Sequence, residues 1–114
     1  MIELTVLHYL TANMSVPCYM EEPETKPDSY IVAEKTGSGL NNGISTAVIA
    51  VQSYAKTLLG AAQLNDKVKK AMLSMPNNEI NVSRVELNSD YNFTDTETKR
   101  YRYQAVFDII FMED

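Results

Sequence analysis

Between Lys99 and Phe111 the sequence KRYRYQAVFDIIF places Tyr101, Tyr103, Ala105, Phe107, Ile109 and Phe111 at every second position. That two-residue period marks a strand that buries one face. A lone strand leaves its backbone donors and acceptors unpaired, so the rest of the chain has to supply strands beside it. The opposite set, Arg100, Arg102, Gln104, Val106, Asp108 and Ile110, starts polar and turns partly apolar. The second face is therefore expected to leave solvent near Val106 and Ile110, under a helix or a neighbouring subunit.

With 114 residues, 45% of them hydrophobic, the chain has the material for one core, and a single domain over residues 1–114 is expected. Ten basic against fifteen acidic residues give a formal charge of -5, which disfavours a protein that holds nucleic acid by neutralising phosphates but leaves room for local basic patches. No apolar run approaches the roughly 20 residues of a membrane span. Met1 leads into Ile2-Glu3-Leu4 without the basic start and apolar core of a signal peptide, so the chain is expected to be cytosolic. A single cysteine, Cys18, excludes an internal disulfide and a thiolate cluster for zinc. The Asn-x-Ser/Thr triplets at Asn13, Asn81 and Asn92 are then chance matches.

Ile2, Val6, Leu7, Leu10 and Met14 have helical spacing, with Thr5, His8 and Ala12 on the other side, and the helix must end before Pro17. Val16 to Met20 then reads as a short edge strand, and Glu21 to Asp28, with two prolines and four carboxylates, as a surface loop. Ser29–Lys35 and the β-branched run Ile44–Tyr54 form a hairpin whose tip, Thr36 to Gly43, is expected to be long and polar. From Thr57 to Met75, Leu58, Ala61, Leu64, Val68, Ala71, Met72 and Met75 share one helical side, and Asp66 is placed to pair with Lys70. Pro76 stops this helix. Gly60 weakens its start, which falls anywhere between Thr57 and Asn65, whose side chain could itself cap a shorter helix. Ile80 to Phe93 is strand-like, but Ile80 and Val82 are out of phase with Val85 and Leu87, so a bulge near Ser83 and Arg84 is expected. Thr94–Glu97 turns the chain back into the final strand. The whole predicts an α+β domain with a mixed or mainly antiparallel sheet of four to five strands and two flanking helices.

No catalytic set, cofactor motif or metal-ligand spacing stands out. A Cys18–His8 pair would need the fold to bring the two together and a third group to orient the imidazole; a solvent-facing histidine and a small buried thiol are the simpler expectation. Glu21, Glu22, Glu24 and Asp28 lack the spacing of a calcium loop. Gly37 and Gly39 lack the third glycine and the following helix of a dinucleotide loop. Lys99, Arg100 and Arg102, interleaved with Tyr101 and Tyr103, are the residue types that stack single-stranded nucleic acid on a sheet. Against that, the tyrosines continue the face of Phe107 and Phe111, and the molecule is acidic.

Four segments in order, Val16-Pro17-Cys18-Tyr19-Met20-Glu21-Glu22-Pro23, Pro27-Asp28-Ser29-Tyr30-Ile31-Val32 with Glu34-Lys35-Thr36-Gly37, Ala50-Val51-Gln52-Ser53-Tyr54-Ala55, and Tyr101-Arg102-Tyr103-Gln104-Ala105-Val106-Phe107, resemble the tail terminator (tail completion) proteins of long-tailed bacteriophages. The resemblance covers nearly the whole chain and rests on joint order and length rather than on site residues. It implies a structural protein, not an enzyme: a homo-oligomeric ring, typically hexameric, on the head-proximal end of the virion tail, assembled in the host cytoplasm. Such a ring stops polymerisation of the tail tube protein and offers a surface to head-neck connector proteins. Another head-tail joining component is the near alternative. No membrane or specific nucleic-acid partner is implied, although DNA passes through such a ring, and an acidic lumen would keep the duplex from adhering. The partner-binding loop residues expected are Glu21, Glu22, Glu24, Leu40, Asn41 and Asn42. Self-association is expected through a strand edge, either Val16–Met20 or Ile80–Phe93.

Overall fold

The final strand sits second from one edge of a five-stranded sheet, and its neighbours decide everything else about the fold. A computed structural model describes residues 1–112. Its elements are α1 (Ile2–Asn13), β1 (Cys18–Tyr19), β2 (Tyr30–Asn41), β3 (Ile44–Ala55), α2 (Leu58–Leu73), α3 (Met75–Asn78), β4 (Val82–Asn92) and β5 (Tyr101–Phe111). The sheet order is β1-β2-β3-β5-β4, antiparallel except for the β1–β2 pair. This is the α+β, mixed-sheet architecture expected from the sequence, with a third short helix added.

All the helices share one face of the sheet. Ile2, Val6 and Leu10 of α1, Leu64, Val68 and Met72 of α2 and Met75 of α3 form one core with Ile31, Ala33, Ile49, Val51, Ala105, Phe107, Ile109 and Phe111. Tyr9 was missing from the expected apolar stripe of α1, yet it is buried and its hydroxyl donates to the Ala71 carbonyl at 2.6 Å, tying α1 to α2. Thr57 caps α2, its Oγ1 accepting from Gly60 N at 3.0 Å. Gly60 therefore lies in the first turn, where glycine costs little. Asn65 is not a cap; it is buried in mid-helix and donates to Asp90 Oδ1 of β4 at 2.6 Å. Asp66 pairs with Lys69 (3.3 Å) rather than with the expected Lys70, because Lys69 is drawn toward β4 by Asp90. The helix ends at Leu73, and Pro76 lies in the first turn of α3, where its missing N–H is harmless. Met75 reaches the core from α3 rather than from α2.

Two strand assignments change. Thr36 to Asn41 is not loop but strand: β2 pairs with β3 as far as Asn41↔Ile44, and only Asn42 (φ 52) and Gly43 (φ 79) make the turn. Both central residues have positive φ, the primed geometry whose twist matches a two-residue hairpin. The polar, glycine-containing outer half of β2 is exposed on both faces, so no apolar alternation marked it as strand. Ile80 lies outside the sheet and is fully exposed, and β4 begins at Val82. The expected bulge is present between Val82 and Arg84, and a second one lies between Leu87 and Ser89.

Candidate functional site

Sheet edges come first, because they carry unpaired backbone groups. β1 covers β2 only at Ile31 and Val32, helped by a bond from Ile31 N to the Pro17 carbonyl at 2.9 Å. From Ala33 to Asn41 the outer edge of β2 has no strand beside it among the described residues. At the other side β4 is an edge along its full 11 residues. The Val16–Met20 and Ile80–Phe93 segments are thus both edges, as expected, but the first shrinks to two residues and the open stretch passes to β2. At the end of the β2–β3 hairpin, Leu40 and Ile44 are 75% and 51% exposed, so the tip carries apolar surface that nothing in the subunit covers.

The sheet face away from the helices is covered by side chains instead. Arg102 Nη1 donates to the Tyr54 hydroxyl (2.9 Å), which donates to Gln52 Oε1 (2.9 Å); Gln52 Nε2 donates to Gln104 Oε1 (2.8 Å), and Gln104 donates on to the Tyr91 hydroxyl. This chain of bonds crosses β5, β3 and β4. Tyr30 stacks on Tyr54 with centroids 4.4 Å apart, Arg100 lies 5.0 Å from the Tyr54 ring centre, and Arg102 lies 4.3 Å from that of Phe93. Farther along, Thr46, Val48, Asp108 and Ile110 line an open recess of about 490 Å³. No helix of the described residues lies over Val106 or Ile110, which are half-buried by their own sheet neighbours.

The loop of residues 20–29 is fastened to this face. Glu22 forms an ion pair with Arg100 and accepts from the Tyr30 hydroxyl at 2.9 Å, while Arg100 also donates to that hydroxyl. Burial, and after it the neighbouring Tyr54, push the Tyr30 hydroxyl up to about 12, so it remains a neutral donor. Of the expected partner-binding residues, Glu21 and Glu24 are exposed on this loop, Glu22 is its anchor, Leu40 and Asn41 end β2, and Asn42 forms the turn.

The fold separates the residues that had suggested nucleic-acid stacking. Tyr101 and Tyr103 pair with Ala55 and Ser53 on the helix side, whereas Arg100 and Arg102 point to the other face. Of the aromatic rings that meet the arginines, Tyr30 and Tyr54 are buried, so no base can stack on them as they stand, and the exposed Phe93 ring already has Arg102 against it. His8 is exposed on α1. Cys18 is half-buried with its thiol 3.6 Å from the Val16 carbonyl; burial pushes that thiol up, away from the thiolate a nucleophile needs, with Thr11 opposing the shift. Among the described residues no three His, Cys, Asp or Glu side chains come together as metal ligands, and no helix is long and apolar enough to cross a membrane.

No protein-family model matches this chain, and no curated protein matches it. What the fold offers is therefore read from its surfaces. The sequence did not reveal the Tyr30–Tyr54–Arg102 mesh. Its signal was present in the phase of Arg102 and Gln104 against the apolar set of β5, but the partners lie 48 and 52 residues away and only the pairing of β3 with β5 brings them into register.

Proposed function

We propose that this protein is a structural subunit that acts by assembling with copies of itself, as a tail terminator of a long-tailed bacteriophage: a ring, expected to be hexameric, seated on the head-proximal end of the tail tube. The observation that carries this reading is the pair of unlike open edges, Ala33–Asn41 of β2 at one side of the sheet and β4 at the other. A long unprotected edge invites strand addition. Where one edge pairs with the other, the contact between copies is head-to-tail, and such contacts make a ring when the rotation per subunit closes and an open filament when it does not. The tip of the β2–β3 hairpin and the Glu21–Glu24 loop supply further surface for a tube protein on one side and connector proteins on the other.

The reading is tested by light scattering coupled to size exclusion on the full chain, alone and mixed with a tail tube protein, followed by electron microscopy. Closed rings, or rings formed only on tube ends, support it. A protein that remains monomeric at all concentrations and leaves tube length unchanged removes it.

A further inference from the structure

At the end of the sheet where β2 begins and β3 ends, five of the ten basic residues gather around one cavity in a protein that is acidic overall. The cavity, of about 270 Å³, is lined by the cations Lys26, Lys56, Lys99 and Arg100, by one carboxylate, Asp28, and by Tyr30 and Tyr54. Arg102 stands behind them, 5.7 Å from the Tyr54 ring centre. The four lining cations come from three segments: Lys26 from the 20–29 loop, Lys56 from the β3–α2 junction, and the consecutive Lys99 and Arg100 from the turn that leads into β5. Lys99 is held there by a left-handed backbone (φ 54), in a turn closed by the Asp95↔Arg100 bridge and by Asp95 accepting from the Glu97 backbone N–H at 3.0 Å.

The carboxylates nearby do not balance these charges. Asp28 meets Lys56 at 3.4 Å, with both side chains about three-quarters exposed, and Glu22 holds Arg100. Lys26 and Lys99 make no ion pair with the described residues. Burial, and after it the adjacent Arg102, act against the charge of Arg100, which makes a bound anion there more favourable.

We infer that this cavity is a binding site for phosphate groups, with Arg100 as the forked donor at its base and Lys26, Lys56 and Lys99 closing over the mouth. A guanidinium fork matches two phosphate oxygens, and lysines add point charges without demanding one geometry. A single carboxylate satisfies one of these cations; a phosphate, a diphosphate or consecutive diesters of a nucleic-acid backbone satisfy several. Glu22, already on Arg100, is the built-in competitor for the site. The inference goes beyond the assembly reading and does not depend on it.

The probes are inorganic pyrophosphate and a short DNA duplex, titrated into the full chain at low salt and followed by NMR and calorimetry. Both the wild type and the Lys26→Ala/Lys56→Ala/Lys99→Ala variant are used, the exposed positions keeping the variant folded by circular dichroism. The variant is expected to bind at least about tenfold more weakly, with affinity for the duplex falling as salt rises. Glu22→Gln should tighten binding about threefold by removing the competitor, while Glu21→Gln, which makes the same charge change on the neighbouring exposed residue, should leave it unchanged. Tighter binding of the duplex than of pyrophosphate identifies the phosphate source as a nucleic-acid backbone; the reverse identifies a soluble phosphate compound. The inference is overturned if neither probe binds, if the triple variant binds as the wild type does, if Glu21→Gln and Glu22→Gln have equal effects, or if a hexaglutamate peptide binds as tightly as pyrophosphate.

Discussion

Ser53 is fully buried on the helix side of β3, and its hydroxyl has no partner among the described residues. A buried unpaired hydroxyl is a cost, so Ser53→Ala should leave stability unchanged or raise it by about 1 kcal/mol, read as a rise in the denaturation midpoint. Glu3 is the opposite case. Its own backbone N–H at the start of α1, opposed by burial and then helped by Lys35 at 3.2 Å, holds its carboxyl below the ordinary value. A lowered folded-state value means that its stabilisation is present above the unfolded carboxylate value of about 4.3 and fades as pH falls below it. Glu3→Gln should therefore lower stability at pH 7 and flatten its loss between about pH 5 and 3, which denaturant titrations at both ends would measure. Neither effect could be read from the sequence, because each depends on what the fold places around an ordinary residue.

Among the elements, β5 and α2 were legible because each buries one face, so their apolar residues keep a single period over most of their length. The bulge at Val82/Arg84 was legible for the same reason: a break in phase is itself a signal. Outer β2 was not, since Gly37, Ser38 and Gly39 carry no apolar alternation, and a strand exposed on both sides needs none. Its turn is the test. Gly43 at φ 79 accepts a Cβ only with strain, so Gly43→Ala should cost about 1 kcal/mol and loosen the β2–β3 pairing. Hydrogen exchange should then speed up first at Lys35–Asn41, while the helix-covered half of the sheet keeps its protection.

At the scale of the whole molecule, the principal extents are 44 × 24 × 24 Å, and a 12-residue strand spans about 40 Å, so the hairpin strands set the long axis. The helices cover only part of that length, which leaves the hairpin end available to other chains. On the assembly proposed above, Leu40→Asp/Ile44→Asp should therefore leave the monomer's unfolding transition and the rings in place while weakening their seating on tube ends, detected by light scattering and microscopy; unchanged seating in this variant would take the hairpin tip out of the partner surface. Single-domain α+β organisation was legible from length and periodicity alone. Strand order was not, because nothing local says that β5 inserts between β3 and β4. With the order went the candidate surfaces: both open edges and the basic cavity join segments distant in the chain.

The mesh of Tyr30, Tyr54, Gln52, Gln104, Tyr91 and Arg102 has a consequence for the newly made subunit. A sheet face without helices over it ordinarily offers open apolar surface, but here hydroxyls, amides and a guanidinium are tied to one another across three strands, so their hydrogen-bonding capacity is used within the subunit. On the assembly proposed above, contacts between copies then fall to the open strand edges, and the rim of the sheet rather than its broad side governs the order in which subunits join.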